Sequence, residues 1–211
     1  MYKKEFQDSS KVDYVVSKFI NKIDSPQILE LGVQLGSSTK KFLEICKEKK
    51  GKLFSVDIDD CSNLFLDENW KFIRERDDNF KSISEKIPKK LDLIYLDTIH
   101  TANHVEKILQ YYYKFLNVNG LFIIDDVSWL PYVEKNKFNN FYCEINNKET
   151  YDLLLSLYNS NKENFEISFF FKDTGTAVIE KLNNNELTKK KKILTRELSI
   201  KNVIRKLFKK T

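Results

Sequence analysis

The sequence predicts an α/β protein with a mostly parallel β-sheet and helices on both of its faces. Three observations indicate this class. Short apolar runs that suit buried strands alternate with segments of helical periodicity through the first 127 residues. The runs are apolar throughout, as in strands that are shielded on both sides. Further on, two strand-like runs joined by a tight turn predict an antiparallel hairpin at the end of the sheet.

Five predicted strands precede residue 128. Leucine, β-branched and aromatic residues dominate them, and glycine or polar residues bound them. The third is the weakest because charged residues interrupt it, and a turn at Asn119 and Gly120 is predicted to precede the fifth. The runs are QILELGV (27–33), KLFSVDI (52–58), KFIRER (71–76), LDLIYLD (91–97) and LFIIDDV (121–127).

Helices are predicted between these strands because apolar residues recur at helical spacing. The residues expected to face the sheet are Phe42, Leu43 and Cys46 in residues 37–50, Phe80, Ile83 and Ile87 in residues 79–87, and Val105, Ile108, Leu109, Tyr112 and Leu116 in residues 104–116.

The pattern changes after residue 127. Residues 128–147 are irregular and rich in aromatic residues, residues 148–159 predict a helix, and residues 166–181 predict the hairpin. A chain of 211 residues suits one domain with a substantial core. We therefore expect a single domain over residues 1–186, followed by a tail over residues 187–211.

Charge is divided unevenly along the chain. The net charge is +5, but residues 187–211 contain ten Lys and Arg residues against one acidic residue, so the tail carries +9 and the rest −4. A mildly acidic body is poorly suited to phosphate backbones, which take their affinity from clustered Lys and Arg. Nucleic acid is therefore not expected as a partner.

The cysteines and the N-terminal residues indicate a cellular location. Cys46, Cys61 and Cys143 are far apart, odd in number and without zinc-site spacing, so we expect reduced thiols. The first residues, MYKKEFQDSSK, lack the apolar segment of a signal peptide, and no apolar run approaches the ~20 residues that span a bilayer. The sequence therefore predicts a cytoplasmic protein.

Acidic residues follow each of the five predicted strands. Ligands of open α/β sheets bind beyond the carboxyl ends of the strands, so these residues are candidates for a binding site. A single acid there has an ordinary explanation, since strand ends leave the core. Carboxylates from five strands would repel one another and need a positive or hydrogen-bond-donating group among them. They are Glu30, Asp57, Asp77 or Asp78, Asp97, and the pair Asp125 and Asp126.

The segment ELGVQLGSST (30–39) suits a ligand-binding turn. Gly32 and Gly36 would let the backbone approach a ligand, and the hydroxyl residues 37–39 are predicted to cap a helix whose free N–H groups attract anions. The dinucleotide pattern GxGxxG would require glycine where Gln34 stands. NAD is therefore disfavoured, although a nicotinamide-dependent oxidoreductase stays an alternative.

Residues 26–181 resemble the class I S-adenosylmethionine-dependent methyltransferases, whose Rossmann-like sheet also ends in an antiparallel hairpin. Their first motif, an acid, then Gly, then Gly four residues later, is matched by Glu30, Gly32 and Gly36, and their ribose-binding acid is matched by Asp57. The resemblance implies S-adenosylmethionine as cofactor. The binding residues that it implies are Glu30, Gly32, Gly36, Ser38 and Asp57, with Asp77 or Asp78 near the adenine.

A subset of that family is more similar still. LDTIHTANHV (96–105) and GLFIIDDV (120–127) resemble the macrocin-type sugar O-methyltransferases and the related cephalosporin-hydroxylase-like and methyltransferase-24 proteins. The resemblance implies that Asp97, Asp125 and Asp126 bind Mg²⁺ or another divalent cation. Oxygen ligands suit such a hard cation, which would also relieve the repulsion between the carboxylates.

The same resemblance implies methyl transfer to a hydroxyl of a sugar or glycan precursor. A methyl group on a sulfonium needs an oriented, deprotonated nucleophile. His100 beside Asp97 is the first candidate for the catalytic base, since a histidine pKa of about 6.5 suits this task, and His104 is the second. For either histidine, a hydrogen bond to the backbone at the start of a helix is the alternative role.

Residues 128–150 are predicted to be an insertion that forms the acceptor wall. Flat aromatic faces suit sugar rings or aromatic substrates, although a lid packed on the core would also explain them. The Asn/Asp-Pro-Pro-aromatic motif of amino-methylating enzymes is replaced by DTIH, which argues against base methylation. The aromatic residues are Trp129, Tyr132, Phe138, Phe141 and Tyr142.

The tail contains an amphipathic pattern. In LSIKNVIRKLFKK (198–210) the apolar residues follow helical spacing and the basic residues occupy the other side. Residues 194–210 are predicted to contact a membrane surface or to dock a partner, with a solvated tail as the alternative. A non-catalytic scaffold that acts through this tail and a homo-oligomer both stay open.

Overall fold

The structure is a computed structural model that describes residues 23–127, 141–171, 174–191, 193 and 199–208. The strands are β1 (Gln27–Leu31), β2 (Lys52–Asp57), β3 (Trp70–Arg74), β4 (Leu91–Leu96), β5 (Leu116–Asp125), β6 (Phe165–Phe170) and β7 (Thr176–Lys181). The helices are α1 (Ser37–Lys49), α2 (Phe80–Ser84), α3 (Ala102–Tyr112), α4 (Phe141–Ser160) and α5 (Ile200–Phe208), and a 3₁₀ turn covers Tyr113–Phe115.

The seven strands form one mixed sheet in the order β3-β2-β1-β4-β5-β7-β6. The first five strands pair in parallel, whereas β7 is antiparallel to both β5 and β6. The predicted fold class, a mostly parallel sheet with a terminal antiparallel hairpin, is confirmed. The strand order reverses between β1 and β4, which is where α/β sheets open a crevice for ligands.

Helices cover both faces of the sheet, which explains the continuous apolar runs. Along β1, Ile28 packs in the cluster with α1, while its neighbour Leu29 packs with α3 and α4 on the opposite face. All the residues predicted to face the sheet in α1 and α3 are buried, and so are Ile83 and Ile87. Helical and strand periodicity therefore located the core correctly.

Two predicted boundaries are wrong for physical reasons. Strand β5 begins at Leu116 because the predicted turn is an irregularity inside the strand, with a register shift against β4 and a left-handed Asn119. Helix α4 begins at Phe141, so residues 141–147 are helical rather than irregular. Its buried face includes the polar residues Asn147 and Thr150, which hide the apolar periodicity. Residues 128–140 lie outside the described part.

The tail helix is confirmed as α5 over residues 200–208. Among the helices of the described ranges, none combines the length and the apolar character that crossing a bilayer requires. Cys46 and Cys61 are buried free thiols, as predicted, and the side chain of Cys143 lies outside the described part.

A buried lysine joins the hairpin to the end of α3. Lys181, 2% exposed, donates hydrogen bonds to the carbonyls of Leu116 at 2.8 Å and Tyr113 at 3.1 Å. Its Nζ lies 4.8 Å from the centre of the Tyr113 ring, a cation–π contact. Burial lowers the pKa of Lys181 below its ordinary value. The ammonium compensates its desolvation through these contacts and holds β7 against the start of β5.

We expect Lys181→Met to lower the free energy of unfolding by about 1–3 kcal/mol, because two buried carbonyls lose a charged donor. Urea denaturation with a fitted slope measures this change. Lys189→Met is the matched control on an exposed lysine and should change stability by no more than ~0.5 kcal/mol. If both variants are equally stable, the hydrogen bonds of Lys181 do not stabilise the fold.

Candidate active site

A cavity of about 840 Å³ opens at the carboxyl ends of the parallel strands. Segments that follow β1 to β5 contribute to its wall, so the cavity lies at the reversal of strand order. Most of the predicted site residues line it together. These are Gly32, Ser38, Asp57, Asp77, Asp97, His100, Asp125 and Asp126.

Gly32 is required because the backbones of β1 and β4 approach closely where the cavity begins. Its φ is +101°, and a Cβ at this position would lie 2.0 Å from the carbonyl oxygen of Asp97. The Asp97 N–H donates to the Leu31 carbonyl at 2.8 Å, which fixes this approach. Any side chain at position 32 would separate the two strand ends that carry the site.

Glu30 lies behind the cavity wall and is fully buried. Three hydroxyls donate to its carboxylate: Ser38 at 2.6 Å, Thr39 at 2.8 Å and Ser55 at 2.6 Å. Burial raises the pKa of Glu30 to about 7, although these hydrogen bonds oppose the rise. The structure thus places Glu30 where it joins β1, α1 and β2, rather than among the cavity-lining residues.

The predicted side-chain cap of α1 is wrong. The N-cap residue is Gly36, and no side chain accepts a hydrogen bond from the first turn. Ser38 and Thr39 donate to Glu30 instead. A buried carboxylate without donors costs more free energy than a helix start without a side-chain acceptor. Gly36 itself is not among the cavity-lining residues; a Cβ there would lie 2.7 Å from the Phe65 ring.

Asp57 at the end of β2 holds the turn after β1. Its Oδ2 accepts the backbone N–H groups of Val33 at 2.8 Å and Gln34 at 3.0 Å, and its Oδ1 accepts that of Asp59 at 3.0 Å. Burial alone would raise the pKa of Asp57, but the backbone N–H donors outweigh it and hold the pKa below its ordinary value. Asp57 therefore faces the cavity as an anion.

The two candidate acids after β3 occupy different environments. Asp77 is buried in the cavity wall, and its Oδ2 lies 2.6 Å from both the Thr98 hydroxyl and Nε2 of His104. Asp78 pairs with Arg76 and Lys107 outside the cavity wall, and Arg76 first and then Lys107 lower the pKa of Asp78 to about 2. Of the two candidate acids, Asp77 is therefore the one that lines the cavity.

His104 does not line the cavity, so the structure does not support the second candidate base. Its side chain is 9% exposed and bonded to Asp77. Sequence reasoning also missed two charged residues of the cavity wall, Glu75 and Arg76. The strand was predicted to run through residue 76, whereas β3 ends at Arg74, which makes Glu75 the first residue beyond it.

Three carboxylates line the other side of the cavity. Asp125 is the last residue of β5, and Asp126 has a left-handed φ of 57°. In an extended strand, adjacent side chains point to opposite faces, so this turn allows both acids to line one cavity. Asp97, which directly follows β4, completes the group.

Tyr95 and His100 lie among these carboxylates. The buried Tyr95 hydroxyl lies 3.1 Å from Asp125 Oδ2 and 3.3 Å from Asp97 Oδ2, to which it can donate. Burial and these two carboxylates raise the pKa of Tyr95 well above its ordinary value. His100 Nε2 lies 3.5 Å from Asp97 Oδ1 and 3.4 Å from Asp126 Oδ2. Sequence reasoning missed Tyr95 because an aromatic residue inside an apolar strand suggests core packing.

The donor chemistry at this end of the cavity fits a hard divalent cation, since carboxylate oxygens are its preferred ligands. In the arrangement of the described residues, however, no three acidic, histidine or cysteine side chains come close enough together to form a metal site. Tyr95 and His100 occupy positions between the carboxylates.

Residues 29–127 match the model of a family described as a methyltransferase domain. All the predicted cofactor, metal and catalytic residues fall within this match. The predicted resemblance to the class I methyltransferases is therefore confirmed over this part of the chain. No curated protein matches the sequence.

Solved structures with the same fold include three methyltransferases. The MycE methyltransferase from the mycinamycin biosynthetic pathway, in complex with Mg, SAH and mycinamycin VI, is 19% identical with a TM-score of 0.59. That match covers 83% of this chain but only 49% of MycE, so the chain spans about half its length. A putative caffeoyl-CoA O-methyltransferase from Staphylococcus aureus is 18% identical (TM-score 0.63), covering 84% of this chain and 85% of that one. The SAH-bound methyltransferase PaMTH1 from Podospora anserina is 17% identical (TM-score 0.65), covering 84% and 80%.

The buried Glu30 predicts a specific pH dependence of stability. Between about pH 4.5 and 7 the folded chain keeps this carboxyl protonated while the unfolded chain releases the proton, so its contribution to stability falls as pH rises and levels off above 7. Glu30→Gln removes that loss. We therefore compare the unfolding free energies of the two chains at each pH. The difference, variant minus original chain, should increase by about 3 kcal/mol as the pH rises through this window.

Urea unfolding at a series of pH values measures this difference. Glu44→Gln makes the same substitution on an exposed glutamate of α1 and is the matched control for the loss of a carboxylate. If the Glu30→Gln difference does not vary with pH, or varies no more than that of Glu44→Gln, the burial argument fails.

Proposed function

We propose that this chain is an S-adenosylmethionine-dependent O-methyltransferase, assisted by a divalent metal, that acts on a hydroxyl of a sugar or glycan precursor. One observation carries the proposal: a single cavity is lined by the glycine turn and Asp57 on one side, and by three carboxylates and His100 on the other. The methyl donor and the acceptor hydroxyl can thus bind in the same cavity.

The donor would bind at the turn between β1 and α1. Asp57 offers an anionic acceptor for ribose hydroxyls, and Gly32 lets the ligand approach the backbone. Ser37 and Ser38 of the first turn of α1 also line this part of the cavity. Glu75 extends the same wall and is a further acceptor for the nucleoside part of the donor.

Asp97, Asp125 and Asp126 are the residues that would hold the metal. When bound, a divalent cation supplies positive charge that lowers the pKa of an acceptor hydroxyl and orients it. The oxygen donor set supports this assignment, and MycE, which shares the fold, was solved with Mg and SAH. Tyr95 would keep Asp97 and Asp125 in place by its hydroxyl.

His100 would act as the general base. Its Nε2 lies 3.5 Å from Asp97 Oδ1 and 3.4 Å from Asp126 Oδ2 and its side chain lines the cavity, so a hydroxyl held near these acids would be close enough to lose its proton to the ring. The acceptor oxygen then forms a bond to the methyl carbon while the carbon–sulfur bond breaks, and its electron pair stays on sulfur. The products are the methyl ether, S-adenosylhomocysteine and a protonated His100.

A sugar or glycan acceptor is favoured because neighbouring hydroxyls can bind together near clustered carboxylates and a cation. The mycinamycin VI complex of MycE is a small-molecule precedent on the same fold. A cavity of about 840 Å³ also suits a small acceptor beside the donor. The predicted aromatic wall over residues 128–150 lies largely outside the described residues and stays a proposal.

We expect Asp57→Asn to weaken binding of S-adenosylhomocysteine about tenfold to a hundredfold, because an amide nitrogen cannot accept the hydrogen bonds of turn or ribose. Isothermal titration calorimetry measures the affinity. Asp59→Asn makes the same charge change two residues away on an exposed side chain and should change the affinity less than about twofold.

Titration of the unaltered chain with NADH completes this experiment. Tight binding of NADH without binding of S-adenosylhomocysteine would overturn the proposed donor in favour of the oxidoreductase alternative. If Asp57→Asn and Asp59→Asn weaken the binding of S-adenosylhomocysteine equally, the effect comes from the change in net charge and not from a contact of Asp57.

We further expect Asp97→Asn and Asp126→Asn each to reduce methyl transfer at least ~100-fold while S-adenosylhomocysteine affinity stays within about threefold, since these residues serve the acceptor side. The assay follows a radiolabelled methyl group onto a panel of sugars, nucleotide sugars and aromatic diols. Excess chelator should abolish transfer and added Mg²⁺ should restore it. Asp59→Asn is again the control, and transfer that persists in chelator and in both variants would refute the metal mechanism.

A further inference from the structure

Helix α5 exposes an apolar surface that the described part of the chain does not cover. None of its nine residues is buried. At about 100° per residue, its five large apolar side chains fall within a continuous arc of roughly 140°. They are Ile200 (80% exposed), Val203 (48%), Ile204 (48%), Leu207 (77%) and Phe208 (81%).

The opposite side of α5 is basic. Lys201, Arg205 and Lys206 occupy it, with Asn202 among them, and the helix contains no acidic residue. In the sequence, two further lysines, Lys209 and Lys210, follow this helix. The +9 charge of residues 187–211 contrasts with the −4 charge of the rest, so positive charge is concentrated in the tail that contains the helix.

Residues 187–190 are fixed to the domain. The Thr188 N–H donates to Asn161 Oδ1 at 2.8 Å, and Lys190 pairs with Glu106 of α3 at 2.6 Å. Leu187 packs against the main core. Because only nine residues separate Lys190 from Ile200 in the sequence, a surface that bound α5 would bring the domain close to it.

We propose that α5 binds the surface of an anionic phospholipid bilayer. A narrow apolar arc with a basic opposite side is the pattern of helices that lie in the membrane interface, where the apolar side chains enter the acyl boundary and Lys and Arg meet lipid phosphates. A second copy of the helix fits less well because its basic side would repel. Nucleic acid would engage the basic side but leave the apolar arc in water.

The test uses the full chain and sedimentation with vesicles. One set contains phosphatidylcholine alone and the other includes about a quarter phosphatidylglycerol, to supply negative charge. We expect at least ~tenfold stronger partition onto the anionic vesicles, and weakening as salt increases. Equal partition onto both sets, or none, would overturn the proposal.

Leu207→Ser should weaken partition onto anionic vesicles about tenfold or more. The substitution removes a leucine that would be buried in the bilayer, and it does not change the charge. Asn202→Ser, on the polar side of the same helix, is the matched control and should stay within about twofold. Affinity for S-adenosylhomocysteine and melting temperature should be unchanged in both, which separates this proposal from that for the active site.

Sedimentation equilibrium without vesicles distinguishes self-association. If the chain is a dimer that Leu207→Ser converts to a monomer, and vesicles capture neither form, the apolar arc binds a second copy and the membrane proposal is wrong. Equal partition of the Leu207→Ser and Asn202→Ser variants would likewise contradict it.

Discussion

The buried Glu30 carboxylate is the constraint on which the geometry of the cavity depends. It accepts hydroxyl donors from α1 and from β2, so one side chain of β1 ties three elements together. Trp70 of β3 extends the network by donating to Ser55 at 2.9 Å. Burying a carboxyl is unfavourable unless such donors are present, and it therefore selects the one arrangement that satisfies all of them. The first turn of α1 is thereby fixed beside the cavity.

Asp57 extends this order to the turn itself. By accepting the N–H groups of Val33 and Gln34, it holds a turn in which Gln34 has a left-handed φ of 50°, a conformation that costs a non-glycine residue some energy. The same carboxylate that would meet the ribose thus preforms the wall on which the ribose would lie. Because the turn is already ordered, it loses less conformational entropy when a ligand binds.

Sequence patterns predicted the sheet, the core and most of the acidic residues of the cavity, because polarity changes locally where a strand leaves the core. They failed where a contact comes from distant parts of the chain. The hydroxyls of Ser38 and Thr39 suggest a helix cap until the burial of Glu30 is known. Tyr95 resembles any core aromatic, since its partner Asp125 is thirty residues away. Buried polar residues such as Asn147 hid the beginning of α4 for the same reason, since the burial of polar groups depends on tertiary partners.

The acidic end of the cavity shows that crowded carboxylates do not by themselves imply a metal. The Tyr95 hydroxyl lies within reach of Asp97 and Asp125 and can donate to either of them, and the His100 ring lies beside Asp97 and Asp126. A hydrogen-bond donor at this place reduces the repulsion between the acids without any ion. Any ligand of these carboxylate oxygens would have to share them with the Tyr95 hydroxyl and with the His100 ring, so these two side chains would influence how readily the acids accept a ligand.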